Sequence, residues 1–283
     1  MAKQLVLDSS DITRTTALID AAADAAREAG NYVHRHFSNC TDVSIKSRKS
    51  DVVTVHDKNA EAMIRTRLLS RFPDSVVCGE EMGSDTAGEL IWFVDPIDGT
   101  SNFAGGLPLY CISIGVAWKD RIVGGVVYDA ERDELFRGDG LGMTLNRKPV
   151  ARQAHAREED SLCLSDYPHI GDPADEATWT NWCGIVSRFR AVRRLGTAAL
   201  SLAYVAAGRA DVCFELQTHP WDCIGGMALV LAAGGAVHVA DAGGGAPPRD
   251  WAAERYVACG RGFDYAGSCL ADILAGTGVE RPS

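Results

Sequence analysis

The sequence predicts an α/β protein, and three observations predict it. Short apolar runs of strand length alternate with longer stretches whose apolar residues recur at helical spacing. Acidic residues stand at or just beyond the carboxyl ends of several of those runs, where open α/β sheets collect their ligands. The composition, 46% hydrophobic and 23% charged over 283 residues, is that of a packed chain rather than a disordered one. That length suits one large domain or two of ordinary size.

Residues 13–37 carry Leu18, Ala21, Ala25, Val33 and Phe37 near helical spacing, mildly interrupted at Gly30, and predict a packing helix without chemistry. A short strand is expected at 43–45, followed by a polar, basic loop that begins at Lys46. Residues 52–55 lead into a helix over 57–72, with Ala60, Ile64 and Leu68 on its buried face and Pro73 stopping it. Asp57 stands at its start, the position of a cap or a dipole partner. A strand at 75–78 closes on Gly79-Glu80-Glu81, and residues 82–88 read as a loop.

Residues 90–94 predict a buried strand that delivers Asp95 at its carboxyl end. Pro96 fixes one backbone dihedral and is expected to stop the strand. Asp98 follows in the turn, three residues after Asp95, so both carboxylates face one point. Gly99 leaves no side chain there. Asp98 or Thr100 is placed to cap a short helix whose first amides aim at the same spot. Two carboxylates, free amides and a hydroxyl suit a hard divalent cation and a phosphate oxygen. An ordinary Asp-Pro-x-Asp-Gly turn satisfies the same five residues, so their neighbours decide.

Strands are expected at 110–117, 122–129 and 134–138, the first two joined by a tight turn at Lys119-Asp120. Another strand and turn occupy 141–149. The chain becomes polar around 150–160, which marks a boundary between halves 1–150 and 151–283. Beyond it come a strand at 161–165, a helix at 174–189 and a strand at 191–194. Gly196-Thr197-Ala198 then opens an apolar helix with a cap. A strand at 211–216 ends near Glu215, and His219-Pro220-Trp221-Asp222 enters a helix rich in glycine and alanine. Strands at 236–239 and 256–258 and a helix at 263–275 close the chain.

Residues 95–103, Asp-Pro-Ile-Asp-Gly-Thr-Ser-Asn-Phe, resemble the signature of the inositol monophosphatase family of magnesium-dependent, lithium-sensitive phosphatases. Gly79-Glu80-Glu81, Gly196-Thr197-Ala198 and Trp221-Asp222 with Ala233-Gly234-Gly235 match other family motifs, whereas Cys223-Ile224-Gly225-Gly226 departs from the family pattern. The resemblance implies a layered α/β/α/β/α sandwich of the sugar phosphatase type, with mixed sheets and a metal site between the halves. The N-terminal half then carries most of the ligands. It implies two or three Mg2+ ions, one on Glu80, Asp95 and the carbonyl of Ile97, another on Asp95, Asp98 and Asp222, and a weaker third near Glu80.

Asp57, by the same resemblance, supports Thr100, which orients the attacking water with Glu80. The amides of Gly99 and Thr100 hold phosphate oxygens beside Asp98. Gly196, Thr197, Ala198 and Glu215, with His219 and Asp222 nearby, border the substrate. Lys46 falls on a loop near the metals. Glu215 favours a polyol phosphate such as inositol 1-phosphate. Histidinol phosphate is the leading rival, ahead of fructose 1,6-bisphosphate and adenosine bisphosphate. Relatives are often homodimers, and nothing in the sequence decides that here. A non-catalytic regulator that keeps the metal and phosphate site is the reading from a different class.

Elementary electrostatics points the same way. Four converging carboxylates repel one another and resist ionising, and hard cations with oxygen ligands resolve that conflict. A net charge of −10 supplies no basic face for nucleic acid and disfavours an anionic membrane surface. A phosphate substrate therefore needs bound cations to enter. Nine cysteines without a Cys-x-x-Cys pair fit neither a disulfide framework nor a zinc site. Cys78, Cys111, Cys213 and Cys259 read instead as small core hydrophobes, which points to a reducing cytoplasm. No signal pattern and no unbroken apolar run of membrane-spanning length is evident.

Overall fold

The computed structural model describes residues 9–37, 43–45, 52–84, 86–150, 152–169, 175–241, 249 and 251–278. Lys46 lies outside the described residues. The first part of the chain runs α1 (Ser9–His36), β1 (Val43–Ile45), β2 (Val52–Thr54), α2 (Val55–Arg71), β3 (Val76–Gly79), β4 (Gly83–Ser84), β5 (Leu90–Asp98) and α3 (Thr100–Ala104). A meander follows: β6 (Cys111–Trp118), β7 (Arg121–Asp129), β8 (Glu134–Asp139), β9 (Gly142–Leu145) and β10 (Lys148–Pro149). The remainder is β11 (Leu162–Leu164), α4 (Glu176–Arg188), β12 (Ala191–Arg193), α5 (Ala198–Ala206), β13 (Val212–Glu215), α6 (Pro220–Ala232), β14 (Ala236–Ala240), β15 (Arg255–Cys259) and α7 (Cys269–Ala275).

Two mixed sheets organise these elements. The larger has the order β10-β9-β8-β7-β6-β5-β3-β4 and is antiparallel except for the β3/β5 pair. The smaller has the order β12-β11-β13-β15-β14, with β11 parallel to both its neighbours. Helices α1 and α2 cover one face of the large sheet, α5 and α6 lie between the sheets, and α4 and α7 cover the outer face of the small one. The result is the expected α/β/α/β/α stack, with an apolar core in each gap.

Strand β5 shows why its run is apolar throughout. Trp92 and Val94 point into the core under α1 and α2, while Ile91 and Phe93 point into the core under α6. A strand buried on both faces needs apolar side chains on both. Helix α6 reaches the sheet through glycine. A Cβ on Gly125 of β7 would fall 2.4 Å from the Gly225 carbonyl oxygen, and one on Gly115 of β6 would fall 2.7 Å from the Gly225 nitrogen. On the opposite side, Gly226 accommodates Leu202 of α5. The departure Cys223-Ile224-Gly225-Gly226 is thus a backbone-close seat for the helix that carries Asp222.

Several expectations change. Pro96 does not end β5: the strand continues to Asp98 through a bulge, because Asp95 pairs with Ser113 and Asp98 with Cys111. Pro96 and Ile97 of β5 oppose the single residue Ile112 of β6, and a bulge is a place where a sheet tolerates proline. Residues 82–88 include the short edge strand β4. The closing helix starts at Cys269, not 263, since Phe263 and Tyr265 pack on the small sheet from a turn and Ser268 supplies the cap. Lys119 and Asp120 both take positive φ, the geometry of a two-residue hairpin turn, as expected. Among the described cysteines all are free, and all but Cys183 are buried.

Candidate active site

Register brings the first acids together. Gly79 of β3 stands opposite Val94 of the parallel β5, so Glu80 and Asp95 emerge side by side at the carboxyl ends of the two strands. The Glu80 amide donates to the Val94 carbonyl at 3.2 Å. In an unbroken strand, residues three apart face opposite sides. The bulge adds one residue and turns Asp98 to the side that Asp95 faces. Both then line a cleft of about 350 Å3 with Glu80, Ile97, Gly99, Thr100, Gly196, Thr197, Ala198, Glu215 and Asp222.

Each aspartate is held by identified partners. Asp95 Oδ1 accepts from the Ile97 amide at 3.0 Å. Asp98 Oδ2 accepts from the Thr197 hydroxyl at 2.5 Å and the Ala199 amide at 2.6 Å, so the start of α5 grips it. The Cys111 thiol lies 3.7 Å from the same oxygen. Burial pushes that thiol up, with Asp98 adding to the effect, so it stays protonated and is no nucleophile. Asp222 sits in the first turn of α6 and accepts from the His219 amide at 2.9 Å. Asp57 is fully buried and completes the capping box of α2, accepting from the Thr54 amide and hydroxyl at 2.8 and 2.6 Å. Its other oxygen lies 3.0 Å from the Thr100 hydroxyl, which is also 2.9 Å from the Ile97 carbonyl.

Neither Asp98 nor Thr100 caps α3; Gly99, at φ 94°, is its cap residue. Only glycine takes that conformation without strain, and a Cβ there would approach the Leu109 carbonyl at 2.9 Å. Thr197 caps α5 as expected, accepting from the Leu200 amide.

The acids crowd one another. Burial raises Asp95, and repulsion from Glu80, Asp98 and Asp222 raises it further. Asp222 rises for the same reasons, burial first, then Glu80 and Asp98. Asp98 is pushed up to about 6 by burial, against the opposing hydrogen bonds from Thr197 and Ala199. Such a donor set of hard oxygens lacks only positive charge. Among the described residues no three acidic, histidine or cysteine side chains already close into a metal cage. Magnesium does not require one, because it keeps several waters and takes one or two carboxylates.

Ser101, Asp166, His169, Gln217 and Thr218, which the sequence did not single out, also line the cleft. Asp166 follows strand β11 as Asp95 follows the apolar run of β5, so the strand-end rule was there to find it. It accepts from the Gly196 amide at 3.0 Å and donates its own amide to Glu215 Oε1 at 2.8 Å. His169 Nε2 stands 3.0 Å from Glu215 Oε2. Burial pushes Glu215 up to about 7 against that partner. His219 is outside the cleft. It lines the adjoining cavity of about 840 Å3 with Leu107, Arg194 and Glu254, and its ring stacks on Trp221.

The sequence profile of the inositol monophosphatase family matches residues 15–272 of this chain. The chain belongs to the inositol monophosphatase family. As a member it is a phosphoric monoester hydrolase. It is 34% identical over 226 residues to inositol-1-monophosphatase of Synechocystis sp., covering 79% of each chain. It is 38% identical over 225 residues to Nus factor SuhB of Escherichia coli K12, covering 78% of this chain and 84% of the relative. The solved inositol monophosphatase of Anabaena superposes with a TM-score of 0.76 at 31% identity, over 93% of this chain and 96% of the other. No helix among the described residues of this family member is long and apolar enough to cross a membrane.

Proposed function

We propose that the protein is a magnesium-dependent phosphomonoesterase acting on a small polyol phosphate, with inositol 1-phosphate as its best substrate. The supporting observation is the meeting of Glu80, Asp95, Asp98 and Asp222 in one cleft beside backbone amides. Bound Mg2+ would acidify a water and neutralise the leaving alkoxide. Glu80, Asp95 and the Ile97 carbonyl are the ligands we assign to one ion; Asp95, Asp98 and Asp222 are those we assign to a second, with a weaker third at Glu80.

The remaining steps belong to the chain. Thr100, held by Asp57, accepts from the attacking water and orients it together with Glu80. The amides of Gly99 and Thr100 bind phosphate oxygens as charge builds on them. Gly196, Thr197 and Ala198 border the leaving group, and Glu215 accepts hydrogen bonds from its hydroxyls. The water oxygen bonds to phosphorus and the P–O ester bond breaks; one of the water's protons stays on the phosphate product and the other ends on the alkoxide oxygen, which leaves as the alcohol. The cleft would lie where halves 1–150 and 151–283 meet. The name Nus factor stays with the Escherichia coli relative, and a net charge of −10 lends no support to carrying a nucleic-acid role over to this chain.

Phosphate release is the test. Inositol 1-phosphate should be hydrolysed with magnesium and not after chelation, and Asp98→Asn should abolish release. In a panel with histidinol phosphate, fructose 1,6-bisphosphate and adenosine bisphosphate, it should have the highest kcat/KM. No magnesium-dependent release from any of these would end the reading.

A further inference from the structure

Glu61 has no exposed surface, a costly place for a carboxylate without partners. Its partners are two consecutive backbone amides and one guanidinium. Oε2 accepts from the Glu81 amide at 2.7 Å, and Oε1 lies 3.2 Å from the Met82 amide. Arg65, one turn along α2, donates to Oε1 at 2.7 Å and to the Gly83 carbonyl at 2.9 Å. Gly79 makes room for the contact: a Cβ there would fall 2.2 Å from Glu61 Oε1. The carboxylate and its guanidinium together clamp the turn that carries Glu80.

Asp57 lies four residues earlier, and residues so spaced share one helix face. It holds Thr100 as Glu61 holds the Glu80 turn. One face of α2 therefore anchors both groups that the proposed function assigns to the attacking water. We propose that Glu61 is a positioning residue that fixes Glu80 relative to Thr100 and the metal ligands. The proposal rests on that assignment of Glu80. It separates from mere support of the fold because, among the described residues, the clamp's hydrogen bonds run only to the turn and within its own helix.

Glu61→Gln tests it. The amide keeps the volume but leaves one acceptor where two served the Glu81 and Met82 N–H groups. In the metal-free protein, hydrogen exchange at Glu81 and Met82 should speed up while α2 keeps its protection. Calorimetric Mg2+ affinity and kcat should each fall about 10- to 100-fold, as when groups behind metal ligands are altered, with KM at saturating magnesium within about twofold. Arg65→Ala, at a partly exposed residue, should move the same readouts by about threefold and carries the test if Glu61→Gln does not fold. Variants that melt earlier yet keep wild-type Mg2+ affinity and kcat would overturn the proposal. A wild type that takes up no magnesium would overturn the assignment beneath it, leaving Glu61 a structural residue.

Discussion

The Thr197 hydroxyl donates a 2.5 Å hydrogen bond to Asp98 across 99 residues of sequence, tying the start of α5 to the bulged end of β5. Thr197→Val keeps the shape and removes the donor. The buried oxygen then keeps only the Ala199 amide as a strong donor, and stability should fall by about 1–3 kcal/mol. Urea unfolding would measure that loss, and phosphate release should slow in parallel as Asp98 loses its fixed orientation.

Metal and acidity should be linked. Burial raises Asp98 from an ordinary 3.8 to about 6, and Asp95 and Asp222 rise as well. An acid with a raised pKa in the fold favours folding while protonated. That stability is present below its unfolded value and is lost as pH climbs through the folded one, at about 1.4 kcal/mol for each tenfold difference in acidity between the folded and unfolded chain. The metal-free protein should therefore weaken as pH rises from about 4 to beyond 6. The gain in melting temperature on adding magnesium should grow over the same interval.

Asp98→Asn should reveal the conflict between stability and chemistry. Its carbonyl oxygen can still accept from Thr197 and Ala199, and one crowded charge disappears. At pH 7 without metal the variant should melt above the wild type; with magnesium it should release essentially no phosphate. Differential scanning calorimetry beside the activity assay distinguishes this from a simple loss of fold.

Glu215 should govern substrate rather than metal. With a pKa of about 7, mostly from burial, it becomes the better acceptor as pH rises through neutrality. KM for inositol 1-phosphate should fall across that interval, and Glu215→Gln should abolish the dependence while Mg2+ affinity changes little. Initial rates from pH 6 to 8 suffice.

The glycine seat of α6 makes a packing prediction. Gly125→Ala forces a methyl against the Gly225 backbone at 2.4 Å, whereas Gly225→Ala meets first the movable Ser113 hydroxyl at 2.6 Å. Overpacking costs about 1–3 kcal/mol and more where backbone must yield. Gly125→Ala should be the worse of the two by chemical denaturation.

What could be read from the sequence was the set of acids at strand ends, because burial and chain reversal leave clear patterns around Asp95, Glu215 and Glu80. Glu61 left none: a glutamate on a helix rich in charge looks solvated until Gly79 and the amides of Glu81 and Met82 are seen around it. Residues 263–268 read as helix because Phe263, Ala266, Leu270 and Ile273 fall at helical spacing. Asp264 instead accepts from the Gly267 amide and closes a turn. The bulge escaped for a similar reason, since proline after a strand ordinarily signals its end and only the pairing of Asp98 with Cys111 shows otherwise.

That irregular step limits how the motif can vary. Asp95 and Asp98 share a side of the sheet only because the bulge absorbs the odd residue between them, so flattening the bulge at this spacing would send the second acid to the far side, into the packing beneath α2. The distance between the two acids is thus counted in half-turns of a pleat, and no change of loop length could retune it.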